Sequence, residues 1–221
     1  MIEGMRLWLA ATNAWIVAPD GPGGECVMID VPPEPGLILA RLAELELKLV
    51  AVIATHGHID HIGGIDGVAQ EPSMPVYMHP GDHPLLGDLG TSGGLGQLLD
   101  ADEFSLPEPE RLTDLDDGQR VSGAGMTFTA IHTPGHTKGS TCFMLEVDGA
   151  PPTLFSGDHL FAGGIGRTDL YGGSLDELMA SMAEKILPLD DSVVVLPGHG
   201  PGTTIGDERR TNPYIAHLTG S

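Results

Sequence analysis

Thr55-His56-Gly57-His58-Ile59-Asp60-His61-Ile62-Gly63-Gly64 decides how the rest of the chain is read. It follows an apolar run, Leu47 to Ala54, whose Leu, Val and Ile residues describe a fully buried strand. Behind it, Ile62-Gly63-Gly64-Ile65 is placed to start a helix packed closely on that strand. Three histidines and an aspartate within six residues, on a strand-to-helix turn, form a metal-binding signature. Residues two apart in extended backbone project to one side, so His56 and His58 can hold one ion together. The turn then lets Asp60 and His61 face a second position nearby. Alone, Asp60 would read as a helix N-cap, and any single histidine as a satisfied core residue. A whole cluster of imidazoles is costly to gather without a purpose, and this favours metal.

Upstream, Met5 to Ala10, Ala14 to Ala18 and Cys26 to Val31 are short apolar segments, the last two separated by the turn residues Pro19 to Gly24. They read as a β-meander. Pro32-Pro33-Glu34-Pro35-Gly36 leads into Leu37 to Leu47, where apolar residues recur at three and four, an amphipathic helix. Downstream, Met74 to Met78 is the next strand and completes a β-α-β-α-β unit, whose parallel neighbours need helices on the sheet face. The pattern becomes irregular from 79 to 111, with Gly87 to Gly96 rich in small residues. Such a segment is either a lid over a substrate or a plain surface insertion.

Strands return at Arg120 to Ser122, Met126 to His132, Thr141 to Val147 and Thr153 to Ser156. Ser174 to Ile186 is a second helix, with Asp176 and Glu177 suited to its first turn. Ser192 to Leu196 is a final strand, and a short helix is expected around residues 207–213. Both halves alternate strands with helices. The economical solution is an α/β (α+β) domain spanning 1–221, two mixed sheets face to face with helices outside.

Composition bounds the function. The 221 residues are 41% apolar and carry a formal charge of −21 with only ten Lys and Arg. Such a surface repels phosphate backbones, which argues against nucleic acid as a partner. Cys26 and Cys142 sit in apolar, strand-like contexts and read as buried free thiols. The first residues have no basic segment followed by a long apolar one, and no run reaches the roughly 18 apolar residues of a membrane span. A cytoplasmic enzyme without membrane contact is expected.

Three further turns follow strands, and each offers one ligand. Thr133-Pro134-Gly135-His136 presents His136, Ser156-Gly157-Asp158-His159 presents Asp158, and Leu196-Pro197-Gly198-His199 presents His199. Strand ends are rigid and suit metal ligands. With the first cluster they supply five imidazoles and two carboxylates. His132 is read as a supporting or core residue, and His159, next to a ligand, as pointing elsewhere.

His56-x-His58-x-Asp60-His61, then His136, Asp158 and His199 in this order, resemble the metallo-β-lactamase fold superfamily along nearly the whole chain. The resemblance implies a four-layer α/β-β/α sandwich. It implies one metal on His56, His58 and His136, a second on Asp60, His61 and His199, and Asp158 bridging them. Zinc suits such ligands, and iron or manganese is tolerated. Two such ions can share a water and lower its pKa toward about 7, giving a metal-bound hydroxide for attack on an acyl carbonyl.

Within that superfamily the chain is most similar to glyoxalase II, the hydroxyacylglutathione hydrolases, in a short bacterial form. The likeness lies in Gly157 to Phe161, Gly163 to Asp169 and Pro197 to Thr204. It implies a small-molecule thioester substrate, with Asp60 orienting the hydroxide and acting on the leaving group. Arg167 stands where glyoxalase II has a basic residue that meets the glutathione carboxylate; a salt bridge to Asp169 is the alternative. The family's aromatic residue two places on is Asp169 here, with Tyr171 nearby as a second substrate contact. Only 22 residues follow His199, so no C-terminal helical domain is expected.

Other chemistries fit the same frame. A persulfide dioxygenase would use one iron on His56, His136 and Asp158, a facial triad. A metal-dependent nuclease is disfavoured by the acidic surface, and a β-lactamase by the missing export signal and by Asp158 at the bridging position.

Overall fold

Alternating apolar residues along central strands send side chains to two different cores. The computed structural model describes residues 1–69, 71, 73–86, 104, 106–215 and 218. One sheet is built from β1 (Ile2–Leu7), β2 (Thr12–Val17), β3 (Glu25–Ile29), β4 (Lys48–Ile53), β5 (Val76–Met78) and β6 (Leu112–Asp114), in that spatial order. β1 to β3 are an antiparallel meander, and β3 to β6 run parallel. The parallel crossovers carry α1 (Pro35–Glu44), then α2 (Ile59–Ile62) and α3 (Ile65–Val68), then α4 (His83–Leu86).

The second sheet has β7 (Arg120–Gly123), β8 (Met126–His132), β9 (Thr141–Leu145), β10 (Thr153–Gly157), β13 (Val194–Pro197) and β14 (Thr203–Thr204). Among the described residues its only parallel pair is β10 with β13, and α5 (Leu175–Ser181) lies in that crossover. β11 (Leu160–Phe161) and β12 (Gly164–Ile165) form a small ribbon, and α6 (Ile205–Thr211) follows β14.

Between the sheets lie Val27, Ile29, Ala51, Ile53, Phe128, Phe143 and Phe155. Their neighbours on the same strands face outward: Met28 and Val52 meet Ile38, Leu42, Ile62 and Ile65 of the first helical layer. Leu154 and Val195 meet Leu178, Met182 and Ile186 of the second. The result is the expected α/β-β/α sandwich, with each buried Leu, Ile or Phe contributing about 1.5–3 kcal/mol of transfer free energy. Cys26 and Cys142 are buried and free, as expected, and burial pushes their thiols up to about 11 and about 12.

Local departures have local causes. The helix expected over Leu37 to Leu47 spans Pro35–Glu44, because the chain turns out of it through Glu46 with φ of 54°. In place of one helix after the histidine cluster there are two single turns. The N–H of Val31 takes the His61 carbonyl at 2.7 Å, and the Val31 carbonyl takes the N–H of Gly64 at 3.0 Å, so the β3 exit interrupts the ladder. The helix over Ser174 to Ile186 begins at a true cap, the Ser174 hydroxyl accepting from the Glu177 N–H, and ends as a π-turn over Met182–Ile186. β6 was not anticipated; it is three residues long and half exposed, with no alternation to read. Of the segment expected as a lid or insertion over 79–111, residues 87–103 and 105 lie outside the described residues.

Candidate metal centre

The strand ends converge. β4 delivers His56 and His58, the first helical turn after it Asp60 and His61, β10 Asp158 and β13 His199, while the loop between β8 and β9 brings His136. All seven residues singled out in the sequence are therefore neighbours, although they span 144 positions from His56 to His199. They form two abutting groups.

In the first, His56 Nε2, His58 Nδ1 and His136 Nε2 point at one another with separations of 3.1, 3.2 and 2.9 Å. In the second, His199 Nε2 is 3.2 Å from Asp60 Oδ2 and 3.3 Å from His61 Nε2. Asp158 spans both: Oδ1 is 3.4 Å from His61 Nε2, and Oδ2 is 3.4 Å from His199 Nε2 and 3.6 Å from His136 Nε2. Nitrogens bound at about 2.0–2.1 Å to one tetrahedral ion stand roughly 3.3 Å apart, close to these spacings.

For three of the rings an outer partner fixes which nitrogen faces inward. His136 donates Nδ1–H to the Arg167 carbonyl at 2.7 Å, leaving the Nε2 lone pair for the centre. His61 donates Nδ1–H to Asp30 Oδ2, also at 2.7 Å. The Thr55 hydroxyl donates to the same Asp30 oxygen at 2.8 Å, so it accepts from His56 Nδ1 at 3.0 Å and turns His56 Nε2 inward. Bare lone pairs facing one another repel unless a cation lies among them. Asp158 Oδ1 is buried with no hydrogen bond among the described residues, another acceptor aimed at the same space. The donor set fits metal ions.

Asp30 was not singled out in the sequence, nor were Thr12 and Asn13. Thr12 donates to Asp60 Oδ2 at 2.9 Å. Asn13 Nδ2 donates to the carbonyls of Pro197 and Gly200, and its N–H to Gly198, which pins the His199 loop to β2. Asp60 itself lies in the first turn of α2 and is not the N-cap, a position held by His58. His132 belongs to neither group: its ring stacks on His79 at 3.8 Å and its Nε2–H bonds to the Lys138 carbonyl. His159 is buried apart from both groups.

Arg167 joins the centre through its backbone only. Its guanidinium makes a two-pronged pair with Asp169, Nε to Oδ1 at 2.7 Å and Nη2 to Oδ2 at 2.8 Å, the salt bridge the sequence left open. Tyr171 is exposed on the loop before α5. Side-chain exposure rises from 0% at His61 and 2% at His136 to 17% at Asp60 and 28% at His199, so solvent reaches the centre from the Asp60–His199 side. The Phe161 ring, 6.1 Å from that of His199, stands on the same side.

The two groups differ in charge. Burial, with the neighbouring imidazoles, pushes His56 far below its usual range and His58 down to about 3. Burial would also lower His61, but Asp60, Asp158 and Asp30 outweigh it and push it up to about 9. His199 likewise resists burial, raised to about 10 by its bonds to Asp158 and Asp60. Burial raises Asp60 and Asp158, and the cationic His61 and His199 overcome this and hold both below the usual carboxylate range.

With protons as the only cations, His56 and His58 are thus neutral near pH 7 while the second group holds its histidines charged. An ion entering the second group displaces those protons, and its affinity must rise with pH up to the raised values. The expected result at pH 7 is release of about two protons, those of His61 and His199, on loading the second group. Calorimetric titration in buffers of different ionisation enthalpy measures this; uptake independent of pH for both ions would contradict it.

Fold and centre together define a family. The chain belongs to the metallo-β-lactamase superfamily, whose profile matches residues 7–199. Among its relatives is the hydroxyacylglutathione hydrolase GloC of Haemophilus influenzae, 33% identical across 95% of this chain and 90% of that one. Two solved structures are similar. The B3 metallo-β-lactamase BLEG-1 is 35% identical with a TM-score of 0.85, covering 97% of this chain and 99% of its own. A di-iron-bound form of TTHA1623 is 36% identical with a TM-score of 0.78, covering 96% and 99%. No helix among the described residues is long and apolar enough to cross a membrane.

Proposed function

We propose that this protein is a metal-dependent hydrolase that cleaves thioesters of the hydroxyacyl-glutathione type in the cytoplasm. The observation that carries the reading is Asp158, one carboxylate within 3.6 Å of imidazoles from both ligand groups. A carboxylate so placed suits a pair of ions in one pocket. His56, His58 and His136 would hold one ion and Asp60, His61 and His199 the other, zinc by ligand type, with iron or manganese tolerated. When bound, such ions supply an activated water and a Lewis acid for the acyl carbonyl.

The chain's own groups do the rest. Asp60 stays ionised on the solvent-facing side and is fixed by the Thr12 hydroxyl, so it can orient the attacking water and take its proton. The C–S bond breaks to a carboxylic acid and a thiol, and a thiol of pKa about 8.5 needs little help in leaving. Arg167 keeps Nη1 free of Asp169, which leaves donors for a carboxylate on the thiol carrier. Tyr171, exposed beyond it, is the second proposed contact. The net charge of −21 supports a small molecule over nucleic acid as partner. The likeness to GloC supports the substrate class.

The likeness to BLEG-1 favours a second reading, hydrolysis of a β-lactam by the same centre. Both are tested together on purified, zinc-loaded protein. Turnover of S-lactoylglutathione is expected to exceed that of a chromogenic cephalosporin in kcat/KM; the reverse order would install the second reading. Oxygen uptake with a glutathione persulfide and a single bound iron would replace both with the dioxygenase.

A further inference from the structure

Asp82 closes the turn Pro80–Asp82 after β5, is 1% exposed and belongs to neither ligand group. Its Oδ2 accepts from the Gly57 N–H at 2.8 Å and the Thr137 hydroxyl at 2.7 Å, and its Oδ1 from the Gly139 N–H at 2.6 Å. Gly57 sits between His56 and His58, and Thr137 follows His136. The donors are therefore chain neighbours of all three imidazoles in the first group. They come from two sheets: Gly57 from the end of β4, Thr137 and Gly139 from the loop joining β8 to β9.

The packing is as close as backbone allows. A Cβ on Gly57 would lie 2.9 Å from the Asp82 Cβ, and one on Gly139 would lie 2.6 Å from its Cγ. The Ser140 hydroxyl lies 2.7 Å from Thr137 Oγ1 and supplies the proton that the Thr137 oxygen accepts while its own goes to Asp82. Every donor is satisfied and both carboxylate oxygens are used, so the carboxylate cannot turn without leaving a buried N–H or O–H unpaired.

We propose that Asp82 is the positioning residue of the first group. By tying a loop of one sheet to a loop of the other, it sets the mutual spacing of His56, His58 and His136 while hydrogen-bonding none of them. Affinity for one ion of the pair then depends on a carboxylate outside both groups. This rests on reading those three histidines as an ion site, and goes further in making the two ions separately tunable.

The test uses two full-length backgrounds: His199→Ala, which keeps the first group, and His58→Ala, which keeps the second. Asp82→Asn is added to each. Asn is isosteric, but its amide nitrogen must face either the Gly139 N–H or the Gly57 and Thr137 donors. Cobalt affinity is measured by chelator competition well below melting, with the melting temperature of chelator-treated protein recorded alongside.

In the His199→Ala background, Asp82→Asn is expected to weaken cobalt binding about 10- to 100-fold. In the His58→Ala background the change stays within about twofold. Equal affinities in both backgrounds with only a lower melting temperature would make Asp82 a purely structural residue and overturn the proposal. Equal weakening in both would overturn the selectivity it claims. A wild-type chain that binds no cobalt would overturn the ion-site reading beneath it as well.

Discussion

Asp60→Asn is expected to lower kcat for S-lactoylglutathione by about 10²- to 10⁴-fold in protein saturated with zinc, with KM little changed. The substitution is nearly isosteric. The side chain is 17% exposed and keeps its volume, so the zinc-loaded variant should stay folded, which its melting temperature checks. What disappears is charge. The carboxylate lies 3.2 Å from His199 Nε2 and 3.5 Å from His61 Nε2, and with Asp158 it is what lifts both imidazoles above their usual range. An amide can still accept from Thr12, yet it cannot take a proton from an attacking water at neutral pH. An effect confined to the chemical step should therefore fall on kcat, whereas a loss of ground-state contact would fall on KM. Zinc content must be measured in the same samples, because Asp60 is also placed to hold an ion. Full turnover in the variant would remove Asp60 from the reaction.

How far the sequence can lead depends on how densely its signals are packed. His56, His58, Asp60 and His61 announce themselves because they fall within six residues on a turn between two readable elements. His136, Asp158 and His199 are weak signs singly, and their meeting became an expectation only through resemblance to a family. Asp30 was missed although it shares their logic: it directly follows an apolar strand, as Asp158 follows another, and takes φ of 59° there. Its partners, Thr55 and His61, lie 25 and 31 positions on, beyond any local pattern. Asp82 is hidden in the same way, its acceptors filled by groups 25 to 57 residues distant. The sheets were legible wherever apolar residues alternate over five or more positions. Two- and three-residue pairings that lack an apolar run, such as β6, β11 and β14, are specified by what they pair with, and a linear reading cannot see that.

Gly198→Ala adds one methyl group and is expected to cost at least about 100-fold in kcat/KM. Gly198 has no left-handed φ, so alanine is free to adopt its backbone conformation and the effect is steric alone. The new Cβ would stand 2.3 Å from Asp158 Oδ1 and 2.6 Å from His61 Cε1. The backbone cannot retreat, because the Gly198 N–H bonds to the Gly157 carbonyl at 2.8 Å and its carbonyl accepts from Asn13 at 2.7 Å. His61 is fully buried and held by Asp30, which leaves the Asp158 carboxylate to give way. A crowded core of this kind costs about 1–3 kcal/mol, less than the roughly 5–15 kcal/mol that holds a domain folded. The variant should therefore stay folded while binding the second ion more weakly, and the two are measured together by melting and elemental analysis. Gly202→Ala, in the same loop, meets its nearest atoms at 3.3 and 3.4 Å and should keep activity within a few-fold of wild type. If the two alanine variants behave alike, Asp158 does not need its present position, and a shared centre built on that carboxylate is wrong.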